Sequence, residues 1–354
     1  LRTGVRGMSK TIQQLDRELE EKNLQGLWNE ALWNSDAKLM TRDPKTMVQP
    51  CVWKWTDIEE SLLQAGELVG LGGKVERRTL RLQNPGLKHL QGQKHATTHT
   101  IHMSVQLLKP GELASSHRHN FGAFRFVVKG RGAYTVVEGE KFVMEPGDLI
   151  LNPPMTWHGH GNETEPIVWL DGLDYPLILS LQVLTWEPFP GDFQPIKESF
   201  QSAGHRVGMV RPTWEKAAGP LAYKWDDTYR TLKNLEASAG SPFDGVALEY
   251  VNPVDGGPTF PTMSCGVQML RPGEATQTHR HNSSTVYHAF RGGGATVIDG
   301  KKYEWRQGDC FVVPLWSWHS HQNGSKNEEA ILFSMNDRPT LEALKLYREE
   351  PGEG

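Results

Sequence analysis

One pattern of histidines, glycines and prolines is written twice in this chain, and that repetition decides its architecture before any single element is read. The first copy runs Gln106-Leu107-Leu108-Lys109-Pro110-Gly111-Glu112, His117-Arg118-His119-Asn120, Gly130, Gly139, Gly147-Asp148, Pro153, Trp157-His158-Gly159-His160 and Asn162. The second runs Gln268-Met269-Leu270-Arg271-Pro272-Gly273-Glu274, His279-Arg280-His281-Asn282, Gly292, Gly300, Gly308-Asp309, Pro314, Trp318-His319-Ser320-His321 and Asn323. A one-residue deletion between Gly292 and Gly300 absorbs all the drift. Self-similarity at this spacing, 162 positions from His117 to His279, marks two copies of one small domain rather than a solenoid of short repeats. The 354 residues leave room for two cores and an extra segment.

Within each copy the apolar runs are short and punctuated by Gly and Pro. In the first they are Ile101 to Leu108, Ala123 to Val128, Ala133 to Val137, Asp148 to Leu151 and Ile167 to Leu170; the second repeats the style between Met263 and Phe333. Many short strands with no helical period between them predict a mainly all-β chain, two antiparallel β-barrel or jelly-roll domains. Ahead of them, Ile12, Leu15, Leu19, Leu24, Leu27 and Trp28 recur at helical spacing after a cap at Ser9, predicting a helical appendage outside the repeat. Its apolar face, continued by Trp33, Trp53 and Trp55, needs burial on the first domain or on another subunit. The expected organisation is a helical segment with lead-in strands over 9–95, a first domain over 96–184, a linker over 185–245 with helix around Tyr229 to Leu235, and a second domain over 246–345.

A net charge of −4 with no basic run gives neither nucleic acid nor an anionic membrane its usual electrostatic attraction. No apolar stretch reaches the roughly 18 residues of a spanning helix, and residues 1–20 lack the apolar core of a secretory signal, so the expectation is a soluble, cytoplasmic protein. Leu1 leaves the true start open, with Met8 one candidate. Cys51, Cys265 and Cys310 are far apart and lack Cys-x-x-Cys spacing, which fits reduced core residues and not a disulfide framework or a thiolate zinc site.

His117 and His119, two positions apart, point to one face of a strand and can grip one ion together. A Gly-rich turn returns the chain to His158, where Trp157 can help exclude water. Three neutral imidazoles leave up to three coordination positions for a substrate and a second reactant.

These residues resemble the two cupin motifs, and the double copy resembles a bicupin. The usual first motif carries a Glu four positions after its second His; here that position is Ala123, so a frequent fourth ligand is missing. That departure, with Ala123-Phe124-Arg125-Phe126-Val127-Val128 before Gly130 and Trp169-Leu170-Asp171-Gly172-Leu173-Asp174-Tyr175-Pro176, is similar to gentisate 1,2-dioxygenases. Val52-Trp53-Lys54-Trp55, Glu76-Arg77-Arg78 and Asn84-Pro85-Gly86-Leu87 extend the similarity upstream. The resemblance implies Fe(II) on His117, His119 and His158, a small aromatic carboxylate (gentisate) and O2 as reactants, maleylpyruvate as product, and a homotetramer with the early helix between subunits.

With three uncharged donors a divalent iron keeps its full charge and favours an anionic chelate. Arg125, flanked by Phe124 and Phe126, fits a bidentate clamp on the substrate carboxylate, against a structural salt bridge or an outward-facing Arg. His160 can hydrogen-bond a substrate hydroxyl or move a proton, although its counterpart His321 leaves a fold role open. The resemblance makes Arg77 a second substrate contact; Gln106 and Asp171 are further candidates, Gln268 leaving Gln106 a structural alternative, and Asp174 is expected to cap a turn.

His279, His281 and His319 keep a full ligand set, but Tyr287 stands where Arg125 does and Ser334-Met335-Asn336-Asp337 replaces Asp171-Gly172-Leu173-Asp174. Chemistry is therefore expected in the first domain, with the second site empty or structurally occupied. The rival readings are a salicylate or 1-hydroxy-2-naphthoate dioxygenase, a zinc or manganese cupin acting as an isomerase or on oxalate, and a non-catalytic binding bicupin.

Overall fold

The computed structural model describes residues 10–28, 41–72, 75–197, 222–252 and 255–352. Residues up to Lys45 form a unit of their own. Its helix, Ile12–Glu20, opens on a capping box in which Thr11 and Gln14 bond each other's backbone N–H, a start that satisfies two otherwise orphaned donors. Thr11, not Ser9, is thus the cap, and Leu24, Leu27 and Trp28 lie beyond the helix end; Ser9, Met8 and Trp33 fall outside the described residues.

From Thr46 on, each copy of the repeat is a pair of antiparallel sheets. In the first, a six-stranded sheet runs in the order Ala222–Tyr223, Leu149–Asn152, Ala123–Lys129, Ile167–Leu173, His102–Leu108, Thr79–Arg81; a five-stranded sheet runs Trp186–Pro188, Leu113–His119, His158–Asn162, Ala133–Val137, Glu140–Val143. Leu108, Val127, Ile150 and Trp169 from one meet Ala114, Ala133, Val137 and Phe142 from the other in a buried core. The second copy repeats this, with Tyr287, Phe311 and Leu332 against Ile298 and Trp305. The antiparallel pairs match the expectation. The barrel does not close: among the described residues the two sheets of each copy stay separate ladders facing one another.

Alternation along the strands builds the contact between the copies. On Ala123–Lys129, Val127 points into its own sandwich while Phe124 and Phe126 point outward into a second core, where Phe126 stacks on Phe333 of the other copy at 4.0 Å between ring centroids.

The segments leading into each copy are exchanged. Cys51–Trp53 pairs with Cys310–Val313 of the second copy, and Ala222–Tyr223 pairs with Leu149–Asn152 of the first. Each exchanged strand runs into a helix, Trp55–Leu68 and Trp225–Leu235, whose first N–H is held by a buried carboxylate: Trp55 N on Asp309 (2.8 Å) and Trp225 N on Asp148 (3.0 Å). Lys54 and Lys224 pair with the same two carboxylates. The glycine before each is set by this contact. Gly308 (φ +92°) lies against the Trp55 ring and Gly147 (φ +87°) against Trp225, and any Cβ there would collide with the indole. The tryptophans expected to bury on the first domain or another subunit therefore anchor on the other copy. Asp174 and Asp337 continue the reciprocity. Asp174 stands at a helix N-cap without capping it; it accepts from Gly122 N and from Thr262 of the second copy, while Asp337 accepts from Ser284 N and from Thr100 of the first.

The stretch read as a linker holds an edge strand, Trp186–Pro188, on the His117–His119 strand; its counterpart Glu349–Pro351 edges His279–His281. Cys265 and Cys310 are buried and all three cysteines are free. No helix among the described residues is long and apolar enough to cross a membrane.

Candidate metal centre and substrate cavity

His117 and His119 end one strand and His158 begins its neighbour, with His117 directly opposite His158 in the register. All three are buried, and one ligand nitrogen from each lies within 4.8 Å of the others. His119 Nδ1 donates to Phe121 O (2.8 Å) and His158 Nδ1 to Thr156 O (3.0 Å), which fixes their tautomers and turns Nε2 toward the cluster. His158 Nε2 is buried without a partner. Burial keeps the rings neutral: it pushes His119 down to about 3, and it pushes His117, with the Arg77 charge adding, and His158 further below the usual imidazole range. Neutral, oriented imidazoles around an unsatisfied nitrogen fit a divalent metal ion, which competes with protons for the same lone pairs. No carboxylate joins the cluster among the described residues. Ala123 is buried where a Glu would have reached in, and Glu76 comes only to the outer side of His117, 3.7 Å from Nδ1.

The opposite wall follows from strand register. Arg125 and Ser104 both stand opposite Asp171, and Arg81 stands opposite Ser104, so these four share one row across the inner face of the six-stranded sheet. Thr79, Gln106 and Trp169 form the next row. All of these except Trp169, which stays in the sandwich core, line with His117 and His119 a cavity of about 370 Å³, inside the range of small-molecule sites; His158 and His160 lie behind that lining. Arg125 faces inward, which removes the outward-facing alternative and is common to the clamp and the structural salt bridge; its Phe neighbours serve the contact between copies. Its Nη1 donates to Asn152 Oδ1 (2.7 Å), and its Nε lies 3.1 Å from Asp171 Oδ1 without hydrogen-bond geometry. Trp169 Nε1 donates to the same Asp171 oxygen (2.9 Å). Burial raises the Asp171 carboxyl above its ordinary range against the pull of Arg125, and lowers the Arg125 guanidinium.

Arg77 enters from the lead-in segment, donating to Ser115 O (2.9 Å) with Nη2 3.3 Å from His117 Nδ1; burial draws it down to about 10, so it stays cationic near neutrality. Gln106 is buried, with Oε1 accepting from Thr79 and Nε2 unpartnered. Gln268 Nε2 is likewise unpartnered, so this feature does not separate the copies. His160 does separate them. Both of its ring nitrogens are buried without a partner, whereas His321 Nδ1 bonds Thr296 Oγ1 at 2.9 Å. Burial first, then Arg125 and Arg77, hold His160 neutral.

Trp157 does not screen the centre; it lies outside, under the Arg118 guanidinium and against Phe189. Trp186 stands there instead, 5.8 Å from the His117 ring, with Phe121 stacked on His119 at 3.6 Å. His102, Tyr175, Leu173 and Leu184 complete the lining; sequence reasoning gave none of them a place in the site, although Leu173 and Tyr175 stand in the motif that carries the resemblance. A signal existed for His102 and Ser104: they precede Gln106 at a period of two on one strand.

A family model described as a cupin domain matches residues 104–172 and 266–336. A 5-aminosalicylate 1,2-dioxygenase of Comamonas sp is 41% identical over 90% of this chain and 86% of its own length. A 1-hydroxy-2-naphthoate 1,2-dioxygenase of Nocardioides sp. is 39% identical over 96% and 88%. Among solved structures, a salicylate 1,2-dioxygenase from Pseudoaminobacter salicylatoxidans with gentisate superposes with a TM-score of 0.86 at 34% identity, covering 100% of this chain and 98% of that one. The matched extent, the doubled cupin domain and the three-histidine cluster agree, and the chain belongs to the bicupin ring-cleaving dioxygenases that include the gentisate, salicylate and 1-hydroxy-2-naphthoate 1,2-dioxygenases.

Proposed function

We propose that the first copy holds Fe(II) on His117, His119 and His158 and opens the ring of gentisate with O2, between the carbons bearing the carboxylate and the adjacent hydroxyl, to give maleylpyruvate. The observation that carries this is one cavity lined both by His117 and His119 of the neutral three-imidazole cluster and by the guanidiniums of Arg125 and Arg77. When bound, ferrous iron supplies coordination positions for an aromatic acid and dioxygen and the electron density that reduces the latter.

The chain's residues supply the rest. Arg125, braced by Asp171 and Asn152, receives the substrate carboxylate. Arg77 adds positive charge beside the cluster, and Gln106 Nε2 offers a donor that is otherwise unspent. His160 holds or moves a phenolic proton. Phe121, Leu184 and Trp186 exclude water and pack the ring. His102, whose Nδ1 faces His95 O at 3.1 Å, leaves Nε2 with Ser104 and Tyr175 as a polar patch for the second ring hydroxyl, which favours gentisate over salicylate.

We read residues 96–184 as the catalytic domain and 246–345 as the second domain of a cytoplasmic homotetramer. The helix Ile12–Glu20, none of whose residues is buried, is available to another subunit.

The test is anaerobic loading with ferrous iron, then air with gentisate, 5-aminosalicylate, salicylate or 1-hydroxy-2-naphthoate, following oxygen uptake and ring-opened product. The expected result is kcat/KM about tenfold higher for gentisate than for salicylate, the worth of one hydrogen bond, with all turnover lost in His117→Ala. Equal or better turnover of salicylate or the naphthoate refutes the gentisate assignment. Turnover that survives His117→Ala refutes the centre.

A further inference from the structure

The second histidine cluster is geometrically intact, and the duplication allows its surroundings to be compared position by position with the first. One ligand nitrogen from each of His279, His281 and His319 lies within 4.8 Å of the others. His281 Nδ1 bonds Ser283 O (2.9 Å) and His319 Nδ1 bonds Ser317 O (3.0 Å), repeating the bracing of the first cluster. His319 Nε2 and His279 Nδ1 are buried and unpartnered. His319 Nε2, desolvated, without a partner and turned toward the cluster by the bond at its Nδ1, points to a missing ligand as His158 Nε2 does in the first copy.

The charge around the cluster is reversed. Thr79 faces Gln106 and Ala247 faces Gln268, which aligns Arg77 with Gly245, Glu76 with Asp244 and Arg81 with Glu249. Tyr287 replaces Arg125. On the closing edge strand, Trp186 faces His119 and Glu349 faces His281, so an indole has become a carboxylate. Three arginines are thus lost from the mouth, and Asp244 and Glu349 line the second cavity. The one arginine in that lining, Arg338, is bonded through Nε to Glu342 at 2.6 Å. The cavity measures about 140 Å³, below the roughly 300 Å³ at which small-molecule pockets begin.

Three imidazoles contribute no charge, so the surrounding field decides how firmly each cluster keeps a cation. In the first, Arg77, Arg81 and Arg125 outnumber the carboxylates of Glu76 and Asp171 and oppose a bare ion until an anionic substrate arrives. In the second, Asp244 and Glu349 favour it at all times.

We propose that His279, His281 and His319 hold a divalent first-row transition ion as a resident part of the fold, retained more firmly than the ion of the first cluster and closed to aromatic carboxylates.

The test uses the full chain, metal analysis by mass spectrometry, and timed dialysis against EDTA after loading with ferrous iron or zinc. Two ions per chain are expected, one leaving about tenfold or more slowly than the other. His279→Ala/His319→Ala should lose the slow ion, and His117→Ala/His158→Ala the fast one. Should the former not fold, Asp244→Asn/Glu349→Gln decides, because it leaves all ligands in place and should release the slow ion faster. One ion per chain that vanishes in His117→Ala/His158→Ala overturns the proposal. So does a slow ion indifferent to the His279/His319 and Asp244/Glu349 changes. The first of these outcomes leaves the ring-cleavage reading intact, since that reading needs only the fast ion.

Discussion

Replacing Arg125 by Met separates the two roles a buried guanidinium can have in this cavity. The substitution removes the bond to Asn152 Oδ1 and the charge beside Asp171, leaving a buried carboxylate with only the Trp169 indole N–H on its inner oxygen. Breaking a buried pair from one side costs about 3–5 kcal/mol of stability. Converting the abandoned partner as well, in Arg125→Met/Asp171→Asn, removes the stranded charge and should recover most of that loss. Substrate binding should not recover. A charge-assisted bond to a carboxylate contributes about 1.5–3 kcal/mol, so kcat/KM should fall about 10- to 150-fold in both variants. The assays are urea unfolding for stability and oxygen uptake against substrate concentration for kcat/KM, with metal content measured alongside. If activity returns with stability in the double variant, Arg125 is a structural member of the sheet and the clamp assignment is refuted.

His160→Ala should lower kcat by about 10²–10⁴-fold with metal content retained, as expected for loss of a proton-transfer group, while His321→Ala should cost about 1 kcal/mol of stability for its bond to Thr296. The opposite pattern, seen in steady-state rates and thermal unfolding, counts against the asymmetry between the copies. Asp309→Ala and Asp148→Ala should each destabilise the chain by about 2–4 kcal/mol, since each carboxylate holds a helix N–H, a lysine and the backbone N–H three residues before it; a loss under about 0.5 kcal/mol in denaturant titration would contradict the exchange as an energetic feature. With Asp171 raised above its usual 3.8 by burial, kcat/KM should fall as pH drops through that raised value, because protonation frees Arg125. His117, His119, His158 and His160, all lowered by burial, add no step near 6.5, and an inflection there that persists in Asp171→Asn would refute this. For stability the sign is reversed: Asp171 contributes most below its unfolded value and loses that contribution as pH rises through the folded one.

The centre was legible because its chemistry is local. Two histidines at a period of two, a third after a turn, and an arginine alternating with phenylalanines give the candidate ligands and part of the cavity wall directly, and the strands Ala123–Lys129 and Ala133–Val137 lie where the apolar runs placed them. The strands Leu113–His119 and His158–Asn162 were absent from the apolar runs and legible only through the i, i+2 spacing of their histidines, because histidine, serine, glycine and asparagine replace the apolar signal where a strand turns its face to the cavity. Trp186 and the exchanged segments were missed for another reason. Their partners lie far away in sequence, and pairing across such distances leaves no periodicity to detect. Yet a trace was present: Val52-Trp53-Lys54-Trp55 is echoed by Ala222-Tyr223-Lys224-Trp225, so the duplication begins upstream of the histidine pattern.

That crossing of lead-in strands governs how the chain acquires its shape. The edge formed by Cys310–Val313 is covered by residues synthesised some 260 positions earlier, so the nascent first copy emerges holding a strand and an indole for which no receptor yet exists. Contacts of such long range raise the entropic barrier to folding and favour a single concerted transition over sequential maturation of two halves. Severing the polypeptide between the copies would give each fragment a bare sheet margin and an apolar face, and the two pieces should regain order only on meeting each other.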